Sequence, residues 1–441
     1  MNRTSGAFRD FAKYSSLSVL AMIAMSCYIL ADTFFVSQGL GTNGLAALNL
    51  AIPAYNFIHG TGLMLGMGGA TRFSILRSQQ AGREADRMFT VTLYLAAVFS
   101  LIFVAAGLLF SGRLALLLGA DTAVYDMTRT YLHVLLLFSP AFILNDVLVC
   151  FVRNDGNPQL SMAATIVGSL SNVVLDYLFI FPCGMGIFGA VFATGLAPVI
   201  GILIMAPHWL KKDKGFHLLR TRPDGRLCGI TLSLGFPSLL AQMSSGIVMI
   251  VFNAIILGLL GNTGVAAYGV VANLSLVVTS IYTGLAQGVQ PLISQAYGRK
   301  QTDTVRKQLK YSLLSMAVFS AAVYLILFFF ASPVAAVFNS EKNPELQRIA
   351  VEGLKLYFTS VLFTGFNIVL STYFTSVEKA LPAQVISLLR GLILIIPAAF
   401  LMASLWHMTG VWLALPVTEL LTVAAGLLFL RRYRNLYSSG H

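Results

Sequence analysis

Residues 88–111 read MFTVTLYLAAVFSLIFVAAGLLFS, twenty-four residues without one charged side chain. As a helix rising 1.5 Å per residue the stretch covers about 36 Å, enough to cross the ~30 Å hydrocarbon core of a bilayer. It is apolar on every face, so it has no polar side to turn toward water as a surface helix would. It is also too long and too uniformly apolar for a barrel strand, whereas a helix satisfies its own backbone groups in lipid.

Runs of this kind recur at roughly 16–36, 45–71, 88–111, 131–152, 160–181, 186–210, 228–259, 265–293, 311–331, 354–376, 383–404 and 409–430, twelve in all. A 441-residue chain with 57% hydrophobic and 10% charged residues excludes a secreted enzyme, a nucleic-acid binder and a disordered chain. The expected fold is therefore all-α and membrane-integral, with twelve transmembrane helices. The first run follows Arg3, Arg9 and Lys13 and lacks a small-residue cleavage site leading into a polar chain, so it is kept as a span. Four scattered cysteines, Cys27, Cys150, Cys183 and Cys228, show no CxxC spacing and suggest neither a disulfide framework nor a zinc site.

The formal charge of +12 follows topology. Of the Lys and Arg residues, 23 lie in the terminal segments and in the loops after spans 2, 4, 6, 8 and 10, against Arg113, Arg129, Lys342 and Arg348 in the other loops. The positive-inside rule then puts the 23, and both termini, on the cytoplasmic side. The longest basic loop, 208–227, separates an N-terminal lobe, 1–207, from a C-terminal lobe, 228–441, with six spans each. Gly41-Thr42-Asn43-Gly44-Leu45-Ala46-Ala47 reappears as Gly261-Asn262-Thr263-Gly264-Val265-Ala266-Ala267, Gly62 and Gly66 answer Gly284 and Gly288, and Pro158 answers Pro382. An even number of spans per repeat gives two six-helix bundles related by a pseudo-two-fold axis along the membrane normal, a transporter architecture.

Ionisable groups inside spans cost several kcal/mol unless paired or hydrated, so Asp32, Asp146, Asp176, Lys355, Arg390 and Glu419 stand out. Asp32 and Asp176 each lie 16 residues along a span running in the same direction, about 24 Å from its start, so they share one depth. Asn172 precedes Asp176 by one turn, and Ala190 and Thr194 lie one turn apart on span 6. This oxygen-rich set suits a hard cation or a proton shared between carboxylates. By the Pro158 to Pro382 offset the second half carries Ile396 and Phe400 where the first has Asn172 and Asp176, so the set is not duplicated. Asp146, with Asn145, is read either as a relay or gate or, for Asp146, as a partner of Arg153. Glu419 and Arg390 are expected to form a buried ion pair. Lys355, at a span end, is expected to snorkel. The Gly62–Gly69 cluster is expected to serve close packing or a bend. Tyr28, Phe57, Met64, Met67, Gln242, Asn253 and Gln287 are candidates for a substrate cleft, because Met and aromatic faces tolerate varied apolar ligands. No GxxxxGK[ST] or HExxH string occurs.

At Ala31-Asp32-Thr33-Phe34-Phe35-Val36, Arg153-Asn154-Asp155-Gly156-Asn157-Pro158, Asn172-xxx-Asp176-xx-Phe179-Ile180-Phe181 and Gly186-Ile187-Phe188-Gly189-Ala190-xxx-Thr194 the sequence resembles the multidrug and toxic compound extrusion (MATE) family, in its prokaryotic DinF-like branch. Pro237-xxxx-Gln242, Gly288-Val289-Gln290-Pro291-Leu292-Ile293 and Tyr297-Gly298 extend the likeness into the second half. The resemblance implies a cation-coupled exporter of small lipophilic, often cationic compounds, not an enzyme, in the bacterial cytoplasmic membrane. It implies coupling at Asp32 and Asp176, assisted by Asn172, the Thr194 hydroxyl and the Ala190 carbonyl. If the coupling ion is Na⁺ rather than H⁺, Asp32, Asn172, Asp176 and Thr194 are its expected ligands, and no other cofactor is expected. Small-molecule substrates and membrane lipid are the expected partners, with no nucleic acid, and a monomer suffices. The alternative is a flippase of lipid-linked oligosaccharides from the same superfamily, which would want a cationic cavity where only Arg390 is deeply placed.

Overall fold

The computed structural model describes residues 2–339 and 342–434, with side chains from residue 6 to residue 433. The end of the expected C-terminal lobe, 435–441, and the side chains of Arg3 and Arg434 lie outside the described residues. Thirteen α-helices follow one another: α1 Asn2–Ser78, α2 Gly82–Leu117, α3 Tyr125–Leu137, α4 Ser139–Asn154, α5 Pro158–Ile180, α6 Gly186–Trp209, α7 Gly225–Gly298, α8 Thr302–Phe329, α9 Ala331–Phe338, α10 Pro344–Tyr357, α11 Val361–Ser376, α12 Ala380–Leu388 and α13 Ile395–Arg434. There is no strand among the described residues.

Twelve crossings are distributed unevenly over these helices. α1 and α7 each carry two, reversing at Gly41 (φ 68°) and Gly261 (φ 63°), where the missing Cβ permits a left-handed backbone. The last two spans, 380–433, run from α12 through a π-turn at Leu389–Ile393 into α13, which reverses at Trp406 and His407. α3 and α4 form one span bent by 48°, with Pro140 in the first turn of α4. α10 continues into α11 through a 3₁₀ turn at Phe358–Ser360. α2, α5, α6 and α8 cross once each.

The backbone also sets the register of the repeat. Left-handed residues recur at Gly41 and Gly261 and at Gln80 and Lys300, both pairs 220 apart, so Gly68, not Gly66, answers Gly288. Gly156 and Glu378 form a third such pair, which aligns the first residues of α5 and α12 and makes Ala380, not Pro382, the counterpart of Pro158. The positions answering Asn172 and Asp176 are then Leu394 and Ala398 in place of Ile396 and Phe400. They are equally apolar, and the carboxylate set remains single.

Packing divides the chain into two units whose limits differ from 1–207, 208–227 and 228–441. The N-terminal lobe comprises 16–243 with 294–300, and the C-terminal lobe comprises the residues up to 15, 244–293 and 301 onward. Glycine crossings cause the difference. In the N-terminal lobe Gly68 of α1 lies against the Thr231 carbonyl of α7, and Gly235 of α7 lies against the Met64 carbonyl, too close in both cases for any side chain. In the C-terminal lobe a Cβ on Gly288 would stand 2.5 Å from the Tyr14 carbonyl oxygen and 2.8 Å from Ser15 Cα. Gly68 answers Gly288 and Ser15 answers Gly235, so one backbone crossing is made twice. The lobes keep separate apolar cores.

The linker after α6 is docked on the N-terminal lobe. Asp155 accepts from the Gly215 N–H at 2.8 Å and contacts His208 Nε2 at 2.9 Å, while Asp86 accepts from the His217 N–H at 2.8 Å and the Thr90 hydroxyl from the Leu219 N–H at 2.9 Å. Phe216 is 1% exposed among Phe73, Phe89 and Phe151, with the nearest ring centroid, that of Phe89, 4.6 Å away. Truncating such a side chain costs about 3–5 kcal/mol. Phe216→Ala is therefore expected to lower the thermal midpoint of the detergent-solubilised protein and to speed tryptic cleavage at Lys211, Lys212 and Arg220, whereas Leu218→Ala, at a position 73% exposed, leaves both unchanged.

Candidate functional site

α5 presents a buried stripe at helical spacing, Ser161, Ala164, Gly168, Asn172 and Asp176. The stripe lies close to α6, where a Cβ on Gly168 would stand 3.1 Å from the Ala197 carbonyl oxygen. The start of α5 is secured by Asn157, whose side-chain oxygen accepts from the Leu160 N–H at 3.2 Å. α1 brings Asp32 to the upper end of this stripe, so Asp32 (7% exposed) and Asp176 (0%) come within hydrogen-bonding reach of each other. One oxygen of each carboxylate, Oδ1, has no hydrogen-bond partner among the described residues.

Neutral groups complete the surroundings. With its amide oriented to satisfy both neighbours, Asn172 donates to Asp176 Oδ2 at 3.0 Å and accepts from the Thr194 N–H at 3.2 Å. The Thr194 hydroxyl donates to the Ala190 carbonyl at 3.1 Å, a carbonyl that lies within the helical ladder of α6. Tyr131 of α3, 3% exposed, reaches Thr194 and faces both carboxylates. Charge and spacing gave no hint of it, since a tyrosine in an apolar run reads as core. The structure thus places Asp32, Asn172, Asp176, Ala190 and Thr194 together and adds Tyr131. Two carboxylates in contact in a dry site need a shared proton or a cation between them. Among the described residues no three His, Cys, Asp or Glu side chains gather as metal ligands; the set here is two carboxylates and neutral oxygens.

Asp146 lies elsewhere in the same lobe, and its partner is not Arg153. Oδ2 of Asp146 approaches His59 Nδ1 of α1 at 2.8 Å, with both side chains 9% exposed. The contact is an ion-pair approach more than an aligned hydrogen bond. Arg153 donates instead to Cys150 Sγ at 3.6 Å. His59 escaped the sequence reading because histidine was not counted among the charges inside spans, although its place in an apolar run was a signal. Gly62 and Gly66 make room for α4: a Cβ on Gly62 would stand 2.5 Å from Asp146 Oδ2, and one on Gly66 would stand 2.9 Å from the Asp146 carbonyl oxygen. Asn145 places its Oδ1 against Gly201 of α6, without a hydrogen-bond partner among the described residues.

The cleft candidates differ in burial. Met64 and Met67, each 4% exposed, belong to the core of the N-terminal lobe. Phe57 is exposed and edge-on to Phe103 of α2. Tyr28, Gln242, Asn253 and Gln287 are half-buried, and the Tyr28 hydroxyl is hydrogen-bonded to that of Tyr55. In the C-terminal lobe Arg390 grips Glu419 with two nitrogens, Nη2 at 2.8 Å and Nε at 3.2 Å from Oε1, and Asn367 donates to Glu419 Oε2 at 2.6 Å. Arg390 sits on the π-turn, and its charge is neutralised within its own lobe. Lys355 lies over the Phe328 ring at 5.3 Å.

A helical membrane protein of twelve spans in two similar lobes, with a carboxylate pair buried in one of them, has the build of a secondary transporter. The MatE family profile matches residues 18–178 and 237–401, and the chain belongs to that family, which is one of transporters and not of enzymes. The chain is 24% identical over 435 residues to the multidrug export protein MepA of Staphylococcus saprophyticus, covering 98% of this chain and 95% of MepA. Its fold matches that of a MOP superfamily transporter from Pyrococcus furiosus with a TM-score of 0.90 at 23% identity, over 98% of this chain and 97% of the other. It matches a multidrug resistance MATE family transporter solved in an outward-facing conformation with a TM-score of 0.89 at 22% identity, over 97% and 96% of the two chains.

Overpacking a tight contact costs typically about 1–3 kcal/mol. Gly62→Ala is expected to push Asp146 off His59 and lower the thermal midpoint by several degrees, while Gly6→Ala, where nothing lies within 4 Å, leaves it unchanged.

Proposed function

We propose that this chain is a secondary active multidrug exporter that moves small lipophilic, often cationic compounds outward by alternating access in antiport with H⁺ or Na⁺. The observation that carries the reading is the contact between Asp32 and Asp176, buried and with one oxygen of each unpartnered. The name of the MepA relative supports the substrate class. The excess of Lys and Arg in alternate loops supports an orientation with both termini cytoplasmic in a bacterial cytoplasmic membrane.

In this mechanism the ion sits on or between the two carboxylates as transported cargo. Asn172 holds Asp176 through Oδ2, and Thr194 holds Asn172 through its N–H, which leaves Oδ1 of each carboxylate without a hydrogen-bond partner among the described residues. Loading leaves one net negative charge shared by the pair, removes the repulsion between like charges and lets α1 and α5 stay in contact there; unloading leaves two like charges that favour separation or hydration of the same helices. An ion drives transport only through such a difference in affinity between conformations, and the drug must feel the reverse difference.

The test is efflux of a fluorescent lipophilic cation from proteoliposomes with Na⁺ and pH gradients imposed separately. Wild type should respond to one gradient. Asp32→Asn and Asp176→Asn should insert and fold with efflux reduced at least tenfold. Normal gradient-driven efflux by both variants would sink the proposal. No transport by folded wild type under either gradient would favour the lipid-linked oligosaccharide flippase.

A further inference from the structure

A second titratable pair, His59 and Asp146, lies in the same lobe as the carboxylates, and Tyr28 and Tyr55 stand on α1 between the two. From Asp32, one turn back along α1 is Tyr28, whose hydroxyl is hydrogen-bonded to the hydroxyl of Tyr55 on the returning limb of the same helix. One turn further along that limb is His59, whose ring stacks on Tyr55 with centroids 5.8 Å apart and planes 15° apart. His59 then meets Asp146 at 2.8 Å. Each step of four residues is one helical turn, about 6 Å. Because the two limbs are antiparallel, both steps descend in one direction, away from the Gly41 reversal and toward the end of the lobe where the linker is docked.

The titratable and charged groups near the pair are Tyr55 of α1, Cys150 and Arg153 of α4, Arg153 donating to Cys150 Sγ, and, nearer Asp32, Tyr131 of α3. A buried ion pair is poor value for stability alone, since well-packed apolar residues of similar volume do as well or better. Yet the fold keeps space for this one: Gly62 leaves the position into which the Asp146 carboxylate projects.

We propose that His59 and Asp146 form a second proton-binding site, joined to the Asp32–Asp176 pair through the hydroxyls of Tyr55 and Tyr28. This rests on the coupling role of Asp32 and Asp176 set out above, and it names the proton as the coupled ion. With one proton on the pair, imidazolium and carboxylate balance. Its departure leaves neutral imidazole beside carboxylate, one charge more negative, and no bond other than N–H or O–H is made or broken. A tyrosine hydroxyl serves as a link because its oxygen accepts one proton while its own O–H gives another onward. Histidine suits the task because its ordinary titration range spans neutral pH. The site lies on the side of the carboxylates nearer the linker, so it serves exchange of protons with that side.

The experiment compares pH-gradient-driven efflux of a fluorescent lipophilic cation across a range of pH for wild type, Asp32→Asn, His59→Gln, Asp146→Asn, the double variant H59Q/D146N and Tyr55→Phe, each checked for thermal midpoint and for binding of the dye. The expected result is efflux slowed tenfold or more and a displaced pH profile in the single and double variants, with dye affinity retained, and a smaller slowing in Tyr55→Phe. A double variant that regains wild-type rate and pH profile, because Gln and Asn hydrogen-bond as neutral partners, assigns the pair a structural role and overturns the proposal. Wild-type pH profiles in all His59 and Asp146 variants overturn it while Asp32→Asn, if inactive, leaves the coupling role standing. Efflux that answers to Na⁺ alone overturns it in the same way. Normal efflux by Asp32→Asn removes the coupling role itself, and the relay with it.

Discussion

Two carboxylates in contact within hydrocarbon are the feature around which the N-terminal lobe is arranged. Each would cost several kcal/mol if charged and alone, so the surrounding helices must place hydrogen-bonding groups against them. Asn172 donates to Asp176 and is itself held by the Thr194 N–H, while Oδ1 of Asp32 has no hydrogen-bond partner among the described residues. This requires α1, α3, α5 and α6 to come close together. The buried face of α5 is accordingly built from serine, alanine and glycine between its polar residues, which lets α6 lie against it.

The same demand for close approach explains the glycines. Gly68 and Gly235 let α1 and α7 cross backbone to backbone, and Gly288 repeats the crossing against Tyr14 and Ser15. Lipid tails offer no hydrophobic drive between helices, so such contacts rest on packing at short range, which small residues allow. A duplicated frame therefore follows from duplicated glycines. The chemistry hung on that frame is not duplicated: one lobe holds carboxylates that face each other and an aspartate beside a histidine, whereas the other closes its single intramembrane acid, Glu419, with Arg390 and Asn367. The buried carboxylate pair is thus a feature of one lobe.

Hydropathy alone determined that the chain is helical and spans the membrane, because hydrocarbon leaves the backbone no other way to satisfy its polar groups than helices or closed barrels, and the runs are too long for barrel strands. Equal counts along two parallel spans were enough to set Asp32 and Asp176 at one depth, since helical rise converts residue number into height. Height says nothing of azimuth. Whether the two side chains face each other, whether Asp146 meets Arg153 or His59, and whether Met64 lines a cleft or fills a core depend on how each helix is rotated and crossed. Those rotations follow from glycine contacts between segments far apart in the chain, and from left-handed turns at Gly41, Gly156 and Glu378 that also corrected the register of the repeat by two residues. Tyr131 and the Tyr28–Tyr55 contact were invisible for the same reason: an aromatic residue in an apolar run becomes part of a polar path only when a neighbouring helix turns a partner toward it, and only the tertiary structure decides that.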